Sequence, residues 1–139
     1  MSKIASSQIN SSALLLGNVD RATSMSGFSA ETQIVSVTVD VPTTNRLIKV
    51  SLFLPQVYSS VSTDRFTIRL KEAGTTIQQS YTVSGATGGG WCGTILRAKS
   101  APSAGSVAYS ATIQRDQGTG TLTVWSESTS RAQLIVELI

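Results

Sequence analysis

The chain is 139 residues long, carries a formal charge of +3 with a pI near 9.4, and is 40% hydrophobic but only 14% charged, with no histidine and one cysteine. That length is one domain, able to bury roughly two-thirds of its unfolded surface. The missing histidine excludes His-based triads and His-containing metal sites, the single cysteine excludes an intrachain disulfide, and 11 Lys+Arg against 8 Asp+Glu without a basic cluster argue against nucleic-acid binding.

Few charges and many Ser and Thr residues favour strands and short turns over helix. Lys3 is the one charge of the opening residues, and the apolar run at 13–16 is far shorter than a signal-peptide core or a membrane span. A soluble protein without a secretion signal or membrane partner is expected. In residues 1–30, Ile4, Ile9, Leu14, Leu16 and Val19 are spaced among Ser, Asn and Ala and fit neither the helical nor the strand period. The pattern predicts an irregular N-terminal arm that packs across its own sandwich or lies on a neighbouring subunit, with Ile4, Ile9 and Leu14 as candidate partner contacts. The alternative is a frayed terminus with one short helix near 11–16.

The domain predicted over 31–139 begins with Val35, Val37, Val39 and Val41 on one face against Ser36, Thr38 and Asp40, up to Pro42. Ile48, Val50, Leu52 and Leu54 define a second strand, antiparallel to the first, that Pro55 should end. After a Ser-rich connection at 56–63, residues 64–72 alternate Phe66, Ile68 and Leu70 with Arg65, Thr67, Arg69 and Lys71, the most regular strand of the chain. Ala73-Gly74-Thr75 is short enough for a hairpin into Ile77, Gln79, Tyr81 and Val83. A flexible Gly-rich segment at 84–90 precedes a strand at 91–98 anchored by Trp91. Past a turn with Pro102, Val107, Tyr109, Ala111 and Ile113 oppose Ala108, Ser110, Thr112 and Gln114.

Residues 115–120 read as a hairpin loop. Beyond it Leu122 and Val124 point inward, with Trp125 on the opposite face or at the rim as a candidate contact, and a last strand over 132–139 closes the sheet. About eight short strands separated by Gly, Pro and Ser/Thr turns predict an antiparallel, two-sheet, jelly-roll-like β-sandwich.

No catalytic set emerges. Cys92, beside Trp91, has no histidine to activate it and reads as a small apolar residue. Asp20, Glu31, Asp40, Asp64, Glu72, Asp116, Glu127 and Glu137 fall mostly at strand ends or in turns, where they form turns or pair with Arg and Lys, and no two stand out as the pair a glycosidase needs. The loop at Asp116 lacks the further ligands of a calcium-binding hand, and Gly88-Gly89-Gly90 lacks the lysine and helix of a phosphate loop. No enzyme activity, cofactor or metal is expected. The stripe Arg65, Arg69 and Lys71 either faces an acidic partner or solubilises an exposed sheet, and the solvated reading is preferred.

The order of Val35-Ser36-Val37-Thr38-Val39, Leu47-Ile48-Lys49-Val50 and the strand at 63–72, followed by Ser110-Ala111-Thr112-Ile113 and the strand at 131–137, resembles β-sandwich modules of bacteriophage virion proteins. In particular, it resembles minor tail and tail-fibre modules of phages that infect actinobacteria, over about residues 31–139. Ile4-Ala5-Ser6-Ser7-Gln8-Ile9-Asn10 resembles connectors preceding trimeric fibre heads. The resemblance implies a non-enzymatic virion structural protein, made in the host cytoplasm and displayed on the particle surface. It also implies a homotrimer whose partners are the major capsid protein or tail proteins. Because the chain has no baseplate or shaft region, capsid decoration or a head fibre is preferred. The alternatives are a tail-fibre or minor tail protein that attaches to a host surface glycan, and a carbohydrate-binding module. In a receptor-binding tip Trp91, Trp125 and the tyrosines should include aromatics exposed near a groove, whereas in a decoration protein they should be buried in the core or a subunit interface.

Overall fold

Each period-2 run has one apolar face to bury and one polar face to leave in water, and two such faces packed together satisfy all of them. The computed structural model describes residues 14–43, 47–83 and 92–139. Ten strands result: β1 (Leu14–Arg21), β2 (Met25–Ser26), β3 (Thr32–Val41), β4 (Ile48–Ser59), β5 (Arg65–Glu72), β6 (Thr75–Val83), β7 (Cys92–Ser100), β8 (Gly105–Gln117), β9 (Leu122–Trp125) and β10 (Ala132–Leu138). They form a six-stranded sheet, in which β1, β10, β4, β9 and β2 follow one another and β7 pairs with β4, and a four-stranded sheet ordered β3-β8-β5-β6. All pairings are antiparallel.

The ten strands occupy eight positions. β10 pairs with the first half of β4 (Leu52↔Leu134) and β9 with the second (Val57↔Val124), while Val57 also faces Cys92 of β7. β9 and β10 therefore lie end to end along one side of β4, and β1 and β2 lie end to end beside them. Between them, Ser24 Oγ accepts from the Ser126 amide at 3.0 Å and donates to the Ser126 carbonyl at 3.2 Å. Counted this way, consecutive strands alternate between sheets except at the β5–β6 hairpin, which is the order of a jelly roll.

Several expectations change. The predicted arm is partly sheet: β1 and β2 belong to the six-stranded sheet, and Phe28 is buried in the core. A bulge between Leu15 and Gly17 slips the alternation by one residue, which erased the strand signature of Leu14, Leu16 and Val19. Residues 14–16 are strand, not helix. Pro55 does not end β4; it sits where the register with β7 shifts between Leu54 and Val57, so no ladder donor is demanded of it. β3 and β4 are not neighbours but lie in opposite sheets, and residues 118–121 are a crossover between sheets, not a hairpin. The hairpin at Ala73-Gly74 is present, with both residues at positive φ (48° and 83°), as a two-residue turn requires. The Gly-rich segment 84–90 and Trp91 lie outside the described residues, as does the Cys92 side chain.

The core fills the space between the sheets. Ile48, Val50, Leu52, Leu54, Leu122, Val124, Leu134 and Val136 meet Phe66, Ile68, Leu70, Tyr109, Ala111 and Ile113, all fully buried. Both ends of β5 are tied to the opposite sheet by a carboxylate. At the first, buried Asp64 Oδ2 accepts from Ser59 Oγ at 2.6 Å and from the Gly120 amide at 2.8 Å. At the other, Glu72 Oε2 accepts from the Tyr109 hydroxyl at 2.8 Å and from Ser100 Oγ on β7.

Burial, reinforced by the hydrogen bond to Glu72, pushes the Tyr109 phenol well above its ordinary 10. Its stabilising contribution is complete below the unfolded pKa and is lost as pH rises through the folded one. Tyr109→Phe should cost about 1–2 kcal/mol in denaturant unfolding. In an alkaline absorbance titration one of the three tyrosines should stay un-ionised until the protein unfolds. Three tyrosines ionising together near pH 10 would contradict this.

Candidate functional site

The sandwich leaves two outer faces. On the four-stranded sheet, alternation directs Arg65, Thr67, Arg69 and Lys71 of β5 outward, beside Thr112 and Gln114 of β8 and Gln79 and Tyr81 of β6. Glu31, just before β3, reaches this face: Arg69 Nη1 donates to Glu31 Oε2 at 2.7 Å and to Gln114 Oε1 at 3.1 Å, and Lys71 Nζ bonds Glu31 Oε1. Two of the three stripe cations thus share one carboxylate, and the preferred solvated reading acquires an internal partner. Arg65 is exposed at the end of the face.

Lys71's hydrogen bond, with the charges of Lys71 and Arg69, holds the Glu31 carboxyl below its usual range. A depressed carboxylate contributes stability above its unfolded pKa and loses it as pH falls through the folded value. Glu31→Gln should therefore flatten the acid limb of the stability profile below about pH 4.5, with a loss at neutral pH of no more than about 1 kcal/mol, because Glu31 is solvent-exposed. An unchanged acid limb in urea titrations at pH 3 to 7 would count against this.

The second face is that of the six-stranded sheet. With Leu52, Leu54, Leu96 and Leu134 turned inward, Phe53, Ile95 and Ile135 must point out. Phe53 is paired with Ile95 on β7, and Ser51, two residues before it, is paired with Ile135 on β10. A groove of about 280 Å³ runs between them, bordered by Ser51, Gln133 and Arg97. Phe53 is 40% and Ile95 62% exposed. Lys49 lies directly opposite Lys99, a like-charge pairing that costs stability. Glu137 offsets Lys49 at 3.4 Å, while neither Arg97 nor Lys99 has an acidic partner among the described residues.

Of the other predicted contacts, Leu14 is 58% exposed at the start of β1, near exposed Leu15 and Leu47. Trp125 is half buried at the end of β9, out of phase with the buried Leu122 and Val124 and opposite Gln56 of β4. Ile4 and Ile9 lie outside the described residues. Phe53, Ile95 and Tyr81 were missed as site residues. The first two carry a readable signal, an apolar residue out of phase with the buried alternation of its own strand. Tyr109 belongs to the core, and Tyr81, 63% exposed, does not.

The groups expected of a metal centre do not converge: among the described residues no three of His, Cys, Asp and Glu cluster. No helix there is long and apolar enough to cross a membrane.

No protein-family model and no curated protein matches the sequence. Among solved structures, the chain is similar to the insecticidal delta-endotoxin Cry8Ea1 of Bacillus thuringiensis, with a TM-score of 0.51, 8% identity, and 84% of this chain aligned to 19% of that one. It is similar to the VP2 subviral particle of infectious bursal disease virus, with a TM-score of 0.51, 11% identity, and 91% of this chain aligned to 38% of that one. The CBM36-1 domain of a multidomain xylanase from the hindgut metagenome of Trinervitermes trinervoides aligns at a TM-score of 0.47 and 13% identity, over 91% and 90% of the two chains. The chain spans about a fifth of the toxin and less than two-fifths of VP2. The fold class is therefore an antiparallel jelly-roll β-sandwich, and part of VP2 and part of the toxin share it.

Proposed function

We propose that this chain is a non-enzymatic structural protein of a bacteriophage particle, of the capsid-decoration or head-fibre kind. It docks through the outer face of its six-stranded sheet. The observation that carries the reading is the patch formed by Phe53, directly opposite Ile95, and Ile135, diagonal to Phe53 on the next strand, which together line one groove. Single exposed apolar residues are ordinary, but adjacent ones lining a groove on a folded sheet are surface that a partner covers. The cations at Arg97 and Lys99 select a partner with an acidic rim. Exposed Leu14, Leu15 and Leu47, at one end of the same sheet, supply apolar surface for contacts between copies in a homotrimer.

A non-catalytic role is supported by what the carboxylates do. Asp64 and Glu72 tie the sheets together, Asp116 bonds buried Thr67, Glu31 and Glu137 pair with cations, and Asp20 pairs with Arg131. Cryo-electron microscopy of purified particles tests the reading. Many copies at the threefold and quasi-threefold positions of the shell are expected. A few copies at the tail or a vertex would instead make this an attachment protein, and none on the particle would overturn the proposal.

A further inference from the structure

The outer face of the four-stranded sheet differs in kind from the docking face opposite. Tyr81 stands on edge strand β6, and its hydroxyl accepts a hydrogen bond from Gln79 Nε2 at 2.7 Å, which fixes the direction of an exposed ring. In register beside Gln79 and Tyr81 lie Arg69 and Thr67 of β5, and beyond these Thr112 and Gln114 of β8. The centre of the face holds two cations, Arg69 and Lys71, and two carboxylates, Glu31 and Asp116, each already tied to a neighbour. Thr112 Oγ1, on the same face, is buried without a hydrogen-bond partner.

The geometry points to a neutral-glycan binding site on this face, with Tyr81 as the stacking platform and Arg69, Glu31, Gln79 and Gln114 as the polar contacts. A sugar ring presents an apolar C–H face to an aromatic and a rim of hydroxyls, each of which both donates and accepts. The site offers both kinds of group side by side: guanidinium and amide donors, carboxylate and amide acceptors. Hydrogen bonds within the cluster hold these groups in place before a ligand arrives, so less freedom is lost on binding. The central charges balance, which favours an uncharged ligand over an acidic one. Arg65 adds a cation only at the rim. In a subunit docked by its six-stranded sheet, this second face points away from the particle, toward a host surface.

The site can be read on the isolated protein, so its failure is separate from failure of the docking proposal. Amide NMR spectra would be recorded during titration with maltohexaose, cellohexaose and a β-galactan oligosaccharide, and with polygalacturonate and poly-glutamate as acidic probes. The expected result is saturable shifts at residues 65–71, 79–81 and 112–114 with at least one neutral probe. Tyr81→Ala should weaken that binding at least about tenfold, Tyr81→Phe should largely restore it, and Arg97→Ala on the opposite face should leave it unchanged. Because the Tyr81 side chain is mostly exposed, the melting temperature of the variant should match the parent. Absence of shifts with every neutral probe, stronger binding of an acidic probe, or shifts confined to residues 95–99 would each overturn the assignment.

Discussion

Gly118→Ala is expected to lower stability by about 3–5 kcal/mol, a fall of roughly 10 °C or more in melting temperature for a chain of this size. Gly118 has a φ of 105°, which L side chains rarely adopt, and a Cβ there would overlap Asp64 Oδ1. The clash cannot be relieved cheaply, since the Asp64 side chain is fully buried and holds Ser59 and the Gly120 amide. Asp64→Ala alone should cost about 2–4 kcal/mol by leaving that amide without its partner. The double variant removes the overlap while keeping the backbone strain, so its cost should fall short of the sum of the singles by at least about 1 kcal/mol. Strict additivity in denaturant unfolding would show that the two residues are not coupled as the geometry requires.

Phe53→Asp combined with Ile95→Asp should abolish particle attachment, weakening it at least about a hundredfold, while the purified protein keeps its fold and melts within a few degrees of the parent. Both side chains are substantially exposed, so folding gains little from them. At a docked interface each carboxylate would sit in a desolvated apolar groove, where a buried aromatic or aliphatic anchor contributes most of the affinity. Co-sedimentation with particles lacking the protein measures this, with Tyr81→Ala as a control that should bind the particle normally. Retained co-sedimentation of the double variant would place the docking surface elsewhere, with the exposed leucines at the end of the sheet the next to change.

The sequence by itself determined the all-β class and most of the inward set of β3, β4, β5 and β8. Each of those faces follows from a strict period of two, which needs no knowledge of partners. It also marked the Ala73-Gly74 hairpin, because the connection between two alternating runs is too short for anything else and Gly74 tolerates a positive φ. Which sheet each strand joined was decided only by the tertiary structure. Alternation says that Val35, Val39 and Ile48 face a core, but not that β3 and β4 reach it from opposite sides. The bulge at Leu16 hid β1 for a related reason, since one extra residue reverses the phase of everything beyond it.

The two outer faces show the same division. The basic stripe was visible in the spacing of Arg65, Arg69 and Lys71. Its pairing with Glu31, some forty residues away along the chain, depended on β3, β8 and β5 lying side by side. Phe53, Ile95 and Ile135 come from three strands that are adjacent only because β4 lies between β7 and β10. Local sequence fixes which way a side chain points, and strand order fixes what stands next to it.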